Sequence, residues 1–509
     1  MADFFHDWPQ DEHNKKWIDN VKPSDWVNPT PDGRYNMVVI GAGTAGLVTA
    51  AACAGLGGKV ALIEKNMLGG DCLNSGCVPS KAILRAAHAV QDIKAAKPLG
   101  VNVNDETITI DFGAVMERVR RVRSDISPHD SVKRFTELGV DIYLGQASFA
   151  GPDTISVGER TLQFKKAVIA SGARAFVPPI PGVEETGYLT NETVFNLTER
   201  PQRLLVVGGG PIGCELAQAF QALGSHVVLV EAAPYLLGRE DQDAAAVLAK
   251  AFEASGMDVR FETTFAKAWN EDGRKMVELE RGGQSEPIEV DAILLSVGRR
   301  PNVEGLNLET VGVEYDRRGV KVDETLRTTN PSIYACGDIC LPYQFTHTAD
   351  FAARIVIRNG LFSFLPTKQK WTDLVIPWCT YTRPEIAHVG LSENEAKKKG
   401  IEYDVYQKAF HDVDRALADD ETDGFVKIIT EKGSDKILGG IIVANHAGEM
   451  INEITLAMNK KVGLGAIASV IHPYPTQAEA IRQCGDLYNK TRLTPGKRKL
   501  LSKIWRWMR

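Results

Sequence analysis

An α/β fold with two Rossmann-like nucleotide-binding units and a C-terminal α+β domain is predicted for this 509-residue chain by three observations. A short apolar run from Tyr35 enters a glycine-rich turn and an Ala-rich helical stretch, then a second apolar run ending at Glu64. The arrangement returns between Arg203 and Glu231, so that Gly41, Gly43, Gly46 and Glu64 recur as Gly208, Gly210, Gly213 and Glu231, each 167 positions on. Beyond a Thr/Pro-rich stretch near 364–377, strand-like VGL and GGIIVANHAG segments suggest the third domain, over roughly 371–490.

Composition agrees with an ordinary folded enzyme. Hydrophobic residues make up 44% and charged residues 24% of the chain, the balance of a globular protein. The net charge of −6 lacks the basic footprint that counterion release requires, so nucleic acid is not an expected partner. Eight cysteines, at 53, 72, 77, 214, 336, 340, 379 and 484, are too sparse for a secreted disulfide framework and fit a reducing compartment. The first residues carry charges and no apolar stretch suited to a signal or anchor, and no later run reaches about 18 apolar residues. A cytoplasmic location is the expectation.

Along the chain, residues 1–35 are polar, with Pro9, Pro23, Pro29 and Pro31 between Trp8, Trp17 and Trp26. They read as an extended arm draped on the body. In each repeat the first glycine permits the tight turn, the second lets backbone approach a pyrophosphate, and the third allows close helix packing. The helix N-terminus attracts phosphate, and Glu64 and Glu231 suit an adenosine ribose. At the second site the carboxylate of Glu231 favours NADH over NADPH, because it accepts from a free 2′-hydroxyl and repels a 2′-phosphate; the nearest downstream arginine is Arg239.

Between Glu64 and the next helical run stands LGGDCLNSGCVPSKAILRAA. Cys72 and Cys77 fall just before Pro79, near a helix start where thiolate is favoured, at a spacing within reach of a disulfide. A redox-active pair is the reading preferred here. Buried structural thiols or half a zinc site are the plainer alternatives, the latter wanting two further ligands in close spacing. The other cysteines do not supply them: Cys336 and Cys340 lack a matched histidine pair, and Cys53, Cys214 and Cys379 fall in apolar segments typical of core cysteine. No metal-ligand set is expected.

At this point the chain resembles the pyridine nucleotide-disulfide oxidoreductases, the FAD enzymes that include dihydrolipoamide dehydrogenase, glutathione reductase and mercuric reductase. The likeness spans roughly residues 36–485 and rests on GAGTAG, GGDCLNSGCVPSK, ASGA at 170–173, GGGPIGCE, VGRRPN at 297–302, YACGD at 334–338 and RPEIAHVGLSENEA at 383–396, in the family's order. The resemblance implies that the first fingerprint holds FAD and the second NAD(P)H. It implies that Asp338 bonds the ribityl or phosphate side of the flavin, and that Gly70, Gly172 and Gly298 line the cofactors. Cys72 would be the interchange thiol and Cys77 the thiol against the flavin, with Lys81 and Glu215 as an ion pair beside the reactive end of the ring. It further implies a homodimer and a division into a flavin unit (36–180 and 306–370), a nicotinamide unit (181–305) and an interface domain (371–490).

The departure from the family lies in IHPYPTQAEAIRQ. Disulfide reductases of the family carry a His-Pro with a glutamate five positions after the histidine, and counting back from Glu479 lands on Tyr474, with His472 two residues earlier. Tyrosine there resembles mercuric reductase, although this chain has neither a late cysteine pair nor a cysteine in its N-terminal arm. Tyr474, His472 and Glu479 would come from the other subunit, and histidine is the natural proton carrier for a departing thiolate. The acceptor is then a small-molecule or protein disulfide, a metal ion or another oxidant. A flavin-bearing, membrane-associated redox sensor and a dihydrolipoamide dehydrogenase stay open as alternatives.

The tail RLTPGKRKLLSKIWRWMR has seven Lys or Arg and no acid. With Leu500, Leu501, Ile504, Trp505 and Trp507 interleaved, residues 492–509 have the make-up of an interfacial helix, for which contact with a membrane surface is one expectation. Packing on a partner subunit, or solvation, is the other.

Overall fold

The computed structural model describes residues 8–104 and 108–509. The expected extended arm contains a helix: α1 (Glu12–Val21) is capped by Asp11, whose carboxylate accepts from Asn14 N at 2.8 Å. Prolines at 9 and 23 flank this segment without entering it, and Trp17 and Val21 are fully buried. Apolar burial against the body supplies the helix that the Pro-rich composition hides.

The first unit follows as β1 (Arg34–Ile40), α2 (Thr44–Gly55) and β2 (Val60–Glu64). After the turn come the short α3 (Gly70–Asn74), α4 (Cys77–Lys94) and α5 (Phe112–Ile126). The chain then gives β3 (Val140–Leu144), β4 (Ala147–Gly151), β5 (Thr154–Val157) and β6 (Arg160–Ile169). These strands form one sheet in the order β3-β2-β1-β6-β5-β4, and the strand Ile333–Ala335 returns late in the sequence to pair with β6. The β3-β2-β1-β6 ladder is parallel and buried on both faces, which explains its nearly continuous apolar runs.

The second unit repeats the scheme with a parallel four-stranded sheet of Asp258–Phe261, His226–Glu231, Arg203–Val207 and Ala292–Leu295. A three-stranded antiparallel sheet, Thr263–Glu271, Arg274–Arg281 and Gln284–Val290, lies beside it. The C-terminal domain is a five-stranded antiparallel sheet ordered Pro377–Thr380, Glu385–Gly390, Ile437–Ala444, Phe425–Glu431 and Tyr403–Ala409. Helices Ala447–Asn459 and Glu479–Thr491 pack on it.

One apolar cluster joins α4 (Ile83, Leu84), the second sheet (Leu204, Val206) and the C-terminal sheet (Ile386, Ile441, Val443). A polar clasp accompanies it. Lys427, 2% exposed, reaches Asp241 at 3.0 Å, Asp243 at 2.9 Å and Glu393 at 3.0 Å. Close by, Glu240 accepts from Trp378 Nε1 at 2.6 Å and lies 2.7 Å from His388 Nδ1.

Candidate functional site

The repeated glycine turns have the same internal bonding in both units. Ala42 N donates to Glu64 Oε2 at 2.7 Å and Asn66 N to Glu64 Oε1 at 2.8 Å. In the second unit Gly209 N donates to Glu231 Oε2 at 2.6 Å and Ala233 N to Glu231 Oε1 at 2.7 Å. Each acid is thus oriented by backbone and keeps acceptor capacity for a ribose. Burial lifts the pKa of Glu64 and the Ala42 and Asn66 amides oppose the rise. The third glycines are obligatory, since a Cβ on Gly46 would stand 1.7 Å from Gly41 O and one on Gly213 would stand 1.9 Å from Gly208 O. Gly43 and Gly210, by contrast, leave the approach to the turn clear: a Cβ on Gly210 meets nothing within 4 Å, and one on Gly43 meets only Gly70 Cα, at 3.7 Å. Gly70 lies directly on the first turn, its own Cβ position 2.5 Å from Gly43 Cα.

Gly70 opens α3, so the first phosphate turn and the cysteine segment are in contact. Cys72 lies within α3 and is half-buried; Cys77 is the first residue of α4 and is exposed. The two are free thiols joined by a hydrogen bond. That bond, donated by Cys72, is the first reason the Cys77 thiol is held down to about 6; Thr346 and the Lys81 ammonium help, while burial and Glu215 oppose. The same bond, followed by burial, pushes Cys72 well up. Cys77 therefore carries the thiolate, at a helix N-terminus suited to negative charge.

Lys81 stands one turn beyond Cys77 on α4, and its Nζ donates to Glu215 Oε2 at 2.6 Å. Glu215 belongs to the first turns of the helix Pro211–Ala222, which starts at the second phosphate turn. Its other oxygen accepts from Tyr381 N at 2.9 Å, and the Lys81 ammonium sits 4.6 Å above the Tyr381 ring. Residues of all three domains thus meet at the Lys81–Glu215 pair.

On the other side of the cysteine segment, Arg299 bonds the Asp71 carboxylate and Ala173 O, and lies 3.7 Å from Asp338. Burial carries the Asp338 carboxyl up to about 6, against the pull of Arg299. Arg299 Nε is buried and makes no hydrogen bond, the Asp338 carboxylate standing at ion-pair distance from it. A buried guanidinium nitrogen beside a carboxyl, next to an open glycine turn, fits the polar groups of a bound dinucleotide. Gly172 and Gly298 are held close by backbone bonds from Asn302 N to Gly172 O at 3.0 Å and from Phe176 N to Gly298 O at 3.0 Å.

Two further residues stand at this site that the sequence reading did not single out. Thr346 Oγ1 lies 3.3 Å from Cys77 Sγ across 269 positions of chain, and nothing local marks it. Tyr381 stands two residues before the RPEIAHVGL segment, a signal that was available. Cys379 also departs from the expectation of a core cysteine. It is half-buried, and its neighbours include Glu385, Glu215 and Lys81.

Within the chain each of the three C-terminal residues has its own partner. Glu479 bonds Arg482 at 2.6 Å and not His472. His472 has its own carboxylate: Nε2 lies 3.0 Å from Glu453 Oε1, and Nδ1 lies 3.0 Å from Val470 O. Tyr474, 70% exposed, donates to Asp414 Oδ2 at 2.9 Å. Beside them Ile471 is 95% exposed.

The family model described as pyridine nucleotide-disulphide oxidoreductase matches residues 35–353, and the dimerisation domain of the same family matches 376–484. A mercuric reductase of Staphylococcus aureus is 34% identical over 460 residues, covering 90% of this chain and 83% of that protein. A dihydrolipoyl dehydrogenase of Thermus scotoductus is 35% identical over 467 residues, covering 90% and 98%. The solved structure of the HOCl-induced flavoprotein disulfide reductase RclA from Escherichia coli superposes with a TM-score of 0.78 at 28% identity, over 89% of this chain and all of that one.

Proposed function

Because this chain belongs to the pyridine nucleotide-disulphide oxidoreductases, whose members are FAD-dependent and use NAD(P)H, we propose that it is an NADH-dependent reductase. It would pass two electrons through the Cys72–Cys77 pair to a disulfide or a thiophilic metal ion. The observation that carries this reading is the thiol pair itself, with a stabilised thiolate at Cys77 and Lys81 tied to Glu215 one turn away.

Bound FAD would supply the two-electron relay between nicotinamide and sulfur. The residues of the chain have separate tasks. Glu64, Gly43 and Asp338 hold the flavin nucleotide, and Gly210 with Glu231 holds the nicotinamide nucleotide. Arg239, the residue that could have welcomed a 2′-phosphate, is tied to Pro342 O at 3.1 Å, which supports NADH. Lys81 stabilises negative charge beside the thiolate, and Glu215 keeps the ammonium in place. Opening the Cys72–Cys77 bond consumes two electrons and one proton, leaving Cys72 as the thiol and Cys77 as the thiolate; Cys72 then attacks the acceptor.

The dimerisation domain supports a homodimer. The exposed Ile471 and Tyr474 form the segment that would be presented to the partner's thiols. Both ring nitrogens of His472 are engaged within its own chain while Tyr474 is exposed, which favours Tyr474 as the group facing the acceptor. The His472–Glu453 pair is the specific observation favouring a dihydrolipoamide dehydrogenase instead.

Anaerobic titration of the FAD-loaded enzyme tests the reading. NADH should uncover two titratable thiols per chain in the wild type and none beyond the remaining single thiol in Cys72→Ser, and Lys81→Met should slow the reduction by about tenfold to a hundredfold. Reoxidation by Hg(II), glutathione disulfide and lipoamide, measured separately, then identifies the acceptor. An enzyme whose Cys72 and Cys77 stay oxidised at full NADH reduction would refute it.

No helix among the described residues is long and apolar enough to cross a membrane. The tail forms the helix Pro495–Trp507, none of it buried. Leu500, Leu501, Ile504, Trp505 and Trp507 occupy an arc of roughly 160°, with Lys499, Lys503 and Arg506 opposite, Arg498 at its border and Lys497 within it in the first turn. This division supports peripheral docking on an anionic bilayer. Co-sedimentation with phosphatidylserine vesicles should be lost on deleting 492–509 and in high salt, and binding insensitive to both would reject it.

A further inference from the structure

The segment between the two redox cysteines is held from outside by the N-terminal arm. Asn74 ends α3, midway between Cys72 and Cys77, and is 8% exposed. Its side-chain oxygen accepts from Trp17 Nε1 at 2.9 Å, its amide nitrogen donates to Leu68 O at 3.0 Å, and its carbonyl accepts from Arg123 Nη1 at 2.9 Å. Leu68 N in turn donates to Val21 O of α1 at 3.1 Å. Arm, cysteine segment and α5 therefore close a ring of hydrogen bonds.

Trp17 is rigidly set in that ring. It is 0% exposed, its ring stacks on Trp8 at 4.5 Å, and the Arg123 guanidinium lies 3.6 Å from its centre. Arg123 Nη2 also donates to Asn14 Oδ1 of α1 at 2.8 Å. A buried indole N–H with one fixed acceptor is a directional constraint, and here the acceptor is the midpoint of a five-residue span whose ends must meet to form a disulfide.

We propose that Trp17 is a positioning residue for the Cys72–Cys77 couple, an arm contact that sets the reduction potential of the pair by fixing Asn74. The proposal rests on the redox reading of the two cysteines. Forming the disulfide removes two electrons and one proton from the Cys72 thiol and Cys77 thiolate, and its equilibrium depends on how often the sulfurs meet. Restraining Asn74 keeps the two Cα atoms within the separation a disulfide needs. Releasing it lowers the effective concentration of one thiol at the other, so the disulfide weakens and the couple becomes more oxidising.

Full-length, FAD-loaded protein equilibrated in mixtures of reduced and oxidised dithiothreitol, acid-quenched and alkylated, gives the oxidised fraction of the Cys72/Cys77 peptide by mass spectrometry. Trp17→Phe keeps an aromatic ring and removes the donor together with the pyrrole half of the indole, a loss of bulk that the Trp26→Phe control shares; the expected shift is about tenfold in the equilibrium constant, or about 30 mV toward oxidising for a two-electron couple. Asn74→Ala, which also removes the bond to Leu68 O, should shift it at least as far, and adding Trp17→Phe to it should change nothing further. Trp26→Phe is the control, because Trp26 Nε1 is buried with no acceptor among the described residues, and it should leave the midpoint in place. A Trp17→Phe midpoint equal to the wild type, or an equal shift in Trp26→Phe, overturns the proposal. A wild-type pair that forms no disulfide in any mixture overturns the redox reading beneath it as well.

Discussion

Cys77 owes its low pKa chiefly to a neighbour, and that makes the effect separable from its helix. With Cys72 donating, the thiol titrates at about 6, below its ordinary value of 9. The charged form therefore persists through neutral pH and disappears as pH falls through about 6. The long-wavelength absorbance of a thiolate against oxidised flavin should follow that curve in the two-electron-reduced enzyme. Cys72→Ala, which removes the donor, should move the midpoint upward, whereas Cys72→Ser, which keeps a hydroxyl donor, should move it less. An unchanged midpoint in the alanine variant would assign the shift to Lys81 and Thr346 instead. Glu385, which burial carries up to about 7, stands in the same neighbourhood with its carboxylate on Gly448 N at 2.8 Å.

Among the elements, the two phosphate turns are near copies whose loss has different consequences. Gly213→Ala brings a methyl group against Gly208 O and should abolish reduction by NADH while leaving FAD content unchanged; the mirror change, Gly46→Ala, should yield protein without FAD. Flavin absorbance per chain and the rate of NADH oxidation check both. These turns were legible because each is specified within about 25 residues by glycine spacing and a closing acid, and the strands and helices around them follow from local pattern. Cys72, Cys77, Lys81 and Glu215 were legible through motif resemblance, and the structure brings Lys81 and Glu215 to 2.6 Å. What local pattern could not convey is contact across sequence distance. Thr346 reaches Cys77, Trp17 reaches Asn74, and His472 meets Glu453, each a choice made by packing. The arm helix was missed for a related reason: its prolines sit just outside it, and its stability comes from burying Trp17 and Val21.

For the molecule as a whole, the three domains share their interior. Ile83 of α4, Val206 of the second sheet and Val443 of the C-terminal sheet belong to one apolar cluster, and Lys427 is surrounded by carboxylates of the second unit and of its own domain. No one of these domains can open along that seam without exposing surface that the others bury. The chain should therefore melt as a single cooperative block, and free energy supplied at one place is felt throughout. Saturating FAD, on the proposed assignment to the first unit, raises by mass action the opening free energy of everything that unfolds with that unit. Backbone amides of Arg203–Val207, in the other nucleotide unit, should thus exchange with deuterium more slowly when flavin is bound to the first.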